Sequence, residues 1–442
     1  MSRLLKSCLI LSLLGGLGSA ACAQDRETKV RNDRKLLENS DHWIYNDLDR
    51  ALREARLKKR PVLVVLRCIP CEACHEFDEQ VVEREPRIRD LLDQFVCVRI
   101  PQANGIDLSL FNYDYDMSFA VFYLHRDGTP LGRFGTRTGR DNEQDDMHID
   151  GFAESLSLAL ELEKNFDQHR TALAGKRGPA VAFKSPELFP SLKDKYTDSL
   201  DYQGKVVQSC IHCHQIREAE RLVFRSAGRP VPDELMFPWP GLDVVGLKCD
   251  PKTACTVEKV AENSIASKAG LQPGDRLLTL NGQPLVSVAD AQWVLQQTAA
   301  SGSIEVTAAR GATTVETRLE LPQGWRRASD ISWRATTWDL RRIAFGGMLL
   351  TSMPPEARAK IPVAADRLAL EVKHVGQYGE HARAKQAGIQ KGDVVVAYDG
   401  RADLLTETAL LAYALQQKRP GDSVAIEVLR GGERKSLTIS LR

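Results

Sequence analysis

The chain has 442 residues, of which 43% are hydrophobic and 27% are charged, and its formal net charge is +1. This length exceeds what a single hydrophobic core usually serves, so three or four domains are expected. The chain does not have the excess of basic over acidic residues that nucleic-acid-binding proteins show, so no nucleic-acid partner is expected.

The first 23 residues have the pattern of a secretory signal peptide. Two basic residues precede a short apolar run, and the small residues of Ala-Cys-Ala at 21–23 form a cleavage site. A membrane anchor is an alternative, but the run is too short to span a bilayer comfortably. A lipoprotein signal ending at Cys22 is a further alternative, although Ser19 stands where a large aliphatic residue is usual. We expect the mature chain to be periplasmic and to have no transmembrane segment, and to be either free or lipid-anchored at Cys22. Disulfides can persist in the periplasm.

The region 41–175 alternates helix and strand patterns. Residues 48–60 carry apolar side chains at helical spacing, and the apolar run 61–66 is typical of a buried parallel strand. Cys71 and Cys74 follow this strand and open a helix, whose N-terminus favours a thiolate. Further strands are predicted at 95–100 and 119–125, and a closing helix at 149–166. A redox-active pair, a metal site, a haem site and a structural disulfide are all open readings of this C-x-x-C-H sequence.

The segment KKRPVLVVLRCIPCEACHEFDEQVV resembles the thioredoxin superfamily, most closely its extracytoplasmic branch that carries electrons across the envelope. The resemblance implies that Cys71 is the attacking thiol and Cys74 the resolving thiol. The chain departs from the family at Ser118, where thioredoxins usually carry a cis-proline. Cys68 extends the motif to C-x-x-C-x-x-C, which leaves open a Cys68–Cys71 disulfide, a three-thiol relay or a soft-metal site. Cys97 is expected to be a buried core thiol.

The region 176–240 contains a second C-x-x-C-H sequence, Cys210, Cys213 and His214. A dithiol pair and a zinc site are alternatives, but no second Cys/His pair lies nearby to complete four zinc ligands. The stretch QSCIHCHQI resembles a c-type cytochrome attachment site, so 176–240 is predicted to be a small helical cytochrome-c-like segment. The resemblance implies a haem c bound through Cys210 and Cys213, with His214 as the proximal iron ligand. Met236, in a proline-rich loop, is the candidate distal ligand.

The C-terminal half of the chain contains an internal repeat. ASKAGLQPGDRLLTLNG at 266–282 matches AKQAGIQKGDVVVAYDG at 384–400. Both copies resemble bacterial PDZ domains, expected at 241–322 and 340–442. PDZ domains add a peptide strand to a sheet edge and hold its terminal carboxylate on backbone amides. The resemblance places this peptide site at Gly246 and Leu247 in the first copy and at Gly347 and Met348 in the second. Packing modules with blocked grooves are the alternative.

The predicted fold class is a multidomain α/β plus β-rich protein. The order of signal peptide, thioredoxin-like domain, haem-type motif and two PDZ domains resembles a bacterial family of thioredoxin/PDZ (seleno)proteins, some of which carry selenocysteine at the thioredoxin-like motif. We predict an exported thiol-redox and electron-transfer protein with an unidentified redox partner, whose PDZ domains bind protein partners or C-terminal peptides. Its enzyme class would be thiol–disulfide oxidoreductase. The alternative is a non-catalytic PDZ scaffold with a redox-dead thioredoxin-like domain.

Overall fold

A computed structural model of the protein describes residues 26–71, 74–139 and 146–442. The predicted signal peptide, with Cys22, lies outside the described residues. Among the helices of the described part of the chain, none combines the length and the apolar character needed to cross a membrane.

The first sheet has five strands in the order β1-β3-β2-β4-β5. The first three are parallel to one another, and β4 and β5 are antiparallel. The strands are Trp43–Tyr45 (β1), Val62–Arg67 (β2), Val96–Ile100 (β3), Phe119–Leu124 (β4) and Pro130–Phe134 (β5). The helices around them are 26–37 (α1), Leu48–Lys58 (α2), His75–Val82 (α3), Pro86–Leu92 (α4), Ile149–Lys164 (α5) and Phe166–Ala174 (α6). The predicted closing helix is interrupted at Asn165, where α5 ends and α6 begins.

The segment after α6 is mainly irregular up to the second cysteine motif, and Cys213 of that motif begins a helix of 14 residues. The helices of this segment are Val206–Ser209 (α7), Cys213–Ser226 (α8) and Asp233–Met236 (α9). The apolar side chains of Ile211 and Ile216 join the core of the first sheet, whereas those of Met236 and Phe237 join the core of the last domain. The buried apolar residues of 206–237 are therefore divided between the cores of two neighbouring domains.

Three further sheets form the C-terminal half, with strand orders β6-β7, β11-β10-β8-β9 and β12-β13-β14-β15-β16. The strands are Leu247–Cys249 (β6), Val257–Val260 (β7), Arg276–Leu280 (β8), Gln283–Pro284 (β9), Gly302–Arg310 (β10), Thr313–Leu321 (β11), Met348–Ser352 (β12), Leu370–Val375 (β13), Val394–Tyr398 (β14), Ser423–Arg430 (β15) and Glu433–Ser440 (β16). The helices are Ile265–Lys268 (α10), Val288–Gln297 (α11), Thr337–Phe345 (α12), Pro355–Arg358 (α13), Arg383–Gln386 (α14) and Glu407–Gln417 (α15). The helices α11 and α15 occupy equivalent places in the two repeats.

Helix α11 packs against the edge strand β5 of the first sheet. The Oγ of Ser287, the residue before α11, donates to the carbonyl oxygen of Arg133 at 2.6 Å. The indole nitrogen of Trp293 donates to the carbonyl oxygen of Gly175 at 3.0 Å. One hydrophobic core runs from the first sheet into the first repeat, whereas the second repeat has a core of its own.

Candidate functional site

Three cysteines lie between strand β2 and helix α3. Cys68 and Cys71 form a disulfide, with their Cα atoms 5.5 Å apart. Cys68 and Cys74 are buried, and Cys71 is half-buried. Cys71 is therefore the most accessible of the three sulphur atoms. The attacking and resolving roles given to Cys71 and Cys74 stay predictions, and the disulfide shows that Cys68 is a second possible partner for Cys71.

The guanidinium of Arg67, at the end of β2, binds the backbone around the disulfide. It donates to the carbonyl oxygen of Cys68 at 2.7 Å, to that of Cys71 at 2.8 Å and to that of Ser118 at 3.1 Å. The backbone N–H of Cys68 also donates to the Ser118 carbonyl, at 2.9 Å. Arg67 thus fixes the disulfide loop and places a positive charge next to it.

The carboxylate of Asp78, on α3, holds Arg67 in place. It accepts from Nε of Arg67 at 3.2 Å and from both terminal nitrogens of Arg99 at 2.7 and 2.8 Å. Burial alone would raise the pKa of Asp78, but the charges and hydrogen bonds of Arg99 and Arg67 lower it overall. Two buried arginines therefore share the ionised carboxylate of Asp78. Asp33 of α1 forms a second ion pair with Arg99.

The second cysteine motif docks on this site. The loop after β3 binds both backbone groups of Ile211: its N–H donates to Oδ1 of Asn104 at 2.8 Å, and its carbonyl accepts from Ala103 at 3.3 Å. This docking brings Nδ1 of His212 to 3.3 Å from Sγ of Cys68. The two C-x-x-C-H sequences, far apart in the chain, are therefore neighbours in the fold.

The two thiols of the second motif are held in different surroundings. Burial raises the pKa of Cys210 to about 12, and nearby Cys213 adds to the shift. Burial also raises the pKa of Cys213, but the hydroxyl of Tyr113, which donates to its Sγ at 2.9 Å, opposes that rise. Both thiols are protonated at neutral pH and are weak nucleophiles in this packing.

The ring centres of the two histidines of this motif lie 5.7 Å apart, and their pKa values shift in opposite directions. Burial lowers the pKa of His212 to about 4, with His214 adding to the shift. Burial would also lower the pKa of His214, but the hydrogen bond of its Nδ1 with Glu218, at 2.9 Å, raises it overall. His212 is therefore neutral at pH 7.

The predicted haem ligands do not fit a haem in this arrangement. Thioether bonds need both thiols open to one face of the ring, but Cys210 is 5% exposed and the Cys213 sulphur contacts Tyr113. Met236 is 0% exposed inside the core of the second repeat. The motif spacing is that of a haem site, whereas the described packing is that of a thiol pair docked on a neighbouring domain.

A cavity of about 670 Å³ opens beside the disulfide. Cys71, Ile69 and His75 line it on the side of the cysteine motif, and Lys29 and Leu36 line it on the side of α1. Of the three cysteines, Cys71 is thus the one that lines this space.

The predicted peptide sites lie at the starts of β6 and β12. Gly246 adopts φ of 85°, and Leu247 after it is buried. Gly347 adopts φ of 89°, and Met348 is 0% exposed. Both loops thus use left-handed glycine conformations that other residues adopt rarely.

The edge strand of the second repeat already has an intramolecular partner. The backbone N–H of Leu350 in β12 donates to Oε1 of Glu407 at 2.8 Å. Arg341 of α12 holds the same carboxylate at 2.6 and 3.0 Å. One of the amides along this edge is therefore occupied by a side chain at the start of α15.

Sequence reasoning identified the cysteines but missed the residues that organise them. Arg67, Asp78, Tyr113 and His212 had no assigned role. The available signal was a charge in an apolar strand: VLVVLR ends in an arginine that is 3% exposed. A buried charge requires a partner, so this pattern predicts an acidic residue nearby.

Three parts of the chain match known protein families. A thioredoxin-like family matches residues 43–126, and PDZ families match residues 256–310 and 380–441. A curated relative, "Probable periplasmic serine endoprotease DegP-like" of Ectopseudomonas mendocina (strain ymp), is 24% identical over 196 residues. That match covers 43% of this chain and 39% of the relative, so the chain spans about two fifths of its length.

Solved structures of a PDZ domain and of an HtrA-type protease are also similar to parts of the chain. The HtrA3 PDZ domain bound to a phage-derived ligand is 23% identical, with a TM-score of 0.15. The match covers 16% of this chain and 67% of the chain in that structure. The HtrA-type protease AlgWS227A with a decapeptide is 18% identical, with a TM-score of 0.19. The match covers 31% of this chain and 40% of the chain in that structure. The chain contains a thioredoxin-like domain and two PDZ domains, and a second cysteine motif lies between the thioredoxin-like domain and the first PDZ domain.

Proposed function

We propose that the protein is an exported thiol–disulfide oxidoreductase in which Cys71 exchanges with a client disulfide. The observation that carries this proposal is the Cys68–Cys71 disulfide, whose Cys71 side lines the cavity beside α1. A half-buried sulphur at the edge of a client-sized space is accessible to exchange, whereas its partner Cys68 is protected. The positive charge of Arg67 on the surrounding backbone favours the thiolate form of the reduced pair.

The exchange proceeds through a mixed disulfide. The Cys71 thiolate attacks one sulphur of the client disulfide, the client S–S bond breaks, and the other client sulphur leaves as a thiolate that takes a proton from solvent. Cys68 then loses its proton and attacks the Sγ of Cys71, which releases the second client thiol and forms the Cys68–Cys71 disulfide. The client gains two electrons and two protons, and a dithiol reductant returns the protein to its reduced form.

A test uses oxidised glutathione as the disulfide and intact-mass spectrometry as the readout. Reduced wild-type protein should form the Cys68–Cys71 disulfide with only a transient glutathione adduct. Cys68→Ser should keep the adduct on Cys71, and Cys71→Ser should form none there. The matched control is Cys97→Ser, which removes a thiol that is 1% exposed in β3. If Cys74→Ser traps the adduct and Cys68→Ser does not, then Cys74 resolves, as the motif predicts. Exchange at the wild-type rate in Cys71→Ser would overturn the proposal.

We place this activity in the periplasm. The signal-peptide pattern of the first 23 residues and the description of the curated relative as periplasmic support that location. The test is the size and fractionation of the expressed chain: cleavage after residue 23 and release with the periplasmic fraction are expected. Retention of the full-length chain in the cytoplasm would contradict it.

The second PDZ domain is proposed to recruit partners by their C-terminal peptides. The match of residues 380–441 to a PDZ family supports this role, and Gly347 and Met348 begin the edge strand on which a peptide would be added. The measurement is fluorescence anisotropy of a labelled hydrophobic peptide with a free C-terminal carboxylate. The amidated peptide is the control, since it lacks the group that the loop amides bind. Equal affinity for the two peptides would favour the scaffold alternative, in which both PDZ domains only pack.

Haem c attachment at Cys210 and Cys213 stays a prediction from the motif. The test is a visible spectrum of protein exported from a host with cytochrome c maturation. A sharp reduced band that survives denaturation would show covalent haem and add electron transfer to the function. A colourless protein with two free thiols or one disulfide at these positions is the outcome that the described packing supports.

A further inference from the structure

We propose that the reduced protein binds one copper(I) ion through Cys68, Cys71 and His212. The ligand atoms of these residues, two sulphurs and one ring nitrogen, all lie within 4.8 Å of one another. The Cys68 sulphur is 3.3 Å from Nδ1 of His212. Two different parts of the chain supply the ligands, and the docking of Ile211 on Asn104 and Ala103 brings them together.

The donor set suits copper(I). Thiolates are soft ligands that select copper(I) and zinc(II), and imidazole binds both metals. Zinc(II) held by these three ligands would need a fourth, such as water, to complete its tetrahedron. Two thiolates and one imidazole provide three ligands, which matches a three-coordinate copper(I) centre.

The surroundings of the three ligands suit an anionic centre. Two thiolates with one copper(I) ion carry a net charge of −1. The Arg67 guanidinium binds the carbonyl oxygens of Cys68 and Cys71, so a fixed positive charge lies next to that centre. Arg67 is 3% exposed and is held by Asp78, which keeps its charge in this position.

The redox state of the cysteine pair controls the site. In the disulfide form neither sulphur is a thiolate, so His212 is the one ligand of the three that remains for the ion. A dithiol reductant supplies two electrons and two protons, the Cys68–Cys71 bond breaks, and the reductant becomes a disulfide. Copper(I) then displaces one proton from each thiol and binds both sulphurs and the imidazole. Oxidation of the pair by a client disulfide reverses these steps and releases the ion.

Copper also connects two parts of the protein. His212 belongs to the docked motif and the cysteines belong to the thioredoxin-like domain, so the bound ion bridges the two. This proposal rests on the same cysteine pair as the proposed exchange activity. It makes copper and client disulfides competitors for Cys71.

The test is an anaerobic copper(I) titration of the full chain against a chromogenic competitor. The reduced wild type should bind one ion that the oxidised wild type does not bind, and X-ray absorption should show two sulphur neighbours and one nitrogen neighbour. His212→Ala should weaken binding at least about tenfold, since even loss of a residue that only supports a metal ligand costs that much. The control is His214→Ala in the same motif, whose ring nitrogen binds Glu218 instead, and its affinity should match the wild type.

Three results would overturn the copper site: equal affinity in His212→Ala, equal loss in His214→Ala, or a coordination shell of sulphur alone. Glutathione exchange, measured with a copper chelator present, separates this proposal from the proposed function. Normal exchange without copper binding removes only the copper site. Copper binding without exchange removes only the oxidoreductase.

Discussion

Arg334, in the segment between the two PDZ domains, binds both carboxylate oxygens of Asp114 in the thioredoxin-like domain, at 2.8 and 2.7 Å. The same nitrogen lies 3.2 Å from Asp116, and the other terminal nitrogen donates to the carbonyl oxygen of Trp239 at 3.1 Å. All three charged side chains are buried. A single guanidinium thus joins the linker, the thioredoxin-like domain and the segment of the second cysteine motif.

Replacing Arg334 should destabilise the whole protein. In Arg334→Met the two carboxylates lose their shared cation while they stay buried, which typically costs about 3–5 kcal/mol of unfolding free energy. Urea unfolding of both variants provides the measurement. Arg318→Met is the control, because its pair with Glu305 is exposed at 63% and 65% of the two side chains and should contribute at most about 1 kcal/mol. Equal midpoints for the two variants would contradict this account.

The glycine before β12 should be irreplaceable for two separable reasons. Gly347 adopts φ of +89°, and an added Cβ would lie 2.1 Å from the carbonyl oxygen of His381. Gly432 adopts φ of +87° with no neighbour within 4 Å of such a Cβ. Gly432→Ala should therefore cost only the left-handed backbone penalty of about 1–2 kcal/mol. Gly347→Ala adds steric overlap of about 1–3 kcal/mol. Thermal unfolding compares the two, and a smaller loss in Gly347→Ala would disprove the steric explanation.

Tyr113 should control the reactivity of the second cysteine motif. Its hydroxyl donates to the Cys213 sulphur and opposes the effect of burial on the pKa of that thiol. Tyr113→Phe should raise this pKa further and slow alkylation of Cys213 by iodoacetamide at pH 8. The readout is the rate of mass gain on the peptide that contains Cys213. Tyr115→Phe, whose hydroxyl binds the Phe111 carbonyl at 3.2 Å, is the matched control. Faster alkylation in Tyr113→Phe would show that the ring only shields the thiol.

Stability should fall in mild acid because of His42. Burial and the charge of Arg84 lower its pKa from 6.5 to about 4, although Asp93 opposes the shift. Between these two values the unfolded chain binds a proton that the folded protein does not bind. The free energy of unfolding therefore decreases as pH falls from about 6.5 to about 4. His42→Gln should flatten this part of the pH profile, measured by urea unfolding. An identical slope in His42→Gln and wild type would rule out this histidine.

The local elements were predictable because each has a strong periodic pattern. The apolar run 61–66 became β2, and the residues after Cys74 became α3. The repeated A-G-x-x-x-G-D segments identified two PDZ domains. Gly270 and Gly388 stand at matching places in the two copies, and both adopt positive φ in the structure. These features depend on short stretches of chain, which sequence patterns describe well.

The arrangement of the site was not predictable because it depends on contacts between distant residues. Sequence spacing treated the two C-x-x-C-H sequences as separate sites, whereas docking places His212 against Cys68. The pairing of Cys71 with Cys68 also depends on the loop conformation that Arg67 imposes through three carbonyl oxygens. A motif specifies the reactive groups, but the neighbouring domain specifies their partners.

The contact of α11 with β5 has a consequence for the solubility of the thioredoxin-like domain. An uncovered outer strand offers backbone groups to which another chain can add, and this leads to aggregation. Here Ser287 already binds the Arg133 carbonyl of β5, and helix α11 packs against the same strand. The first PDZ domain thus covers the β5 edge of this sheet within the same molecule. A chain truncated to end before residue 241 would expose the backbone groups of β5, and we expect it to aggregate more readily than the intact protein.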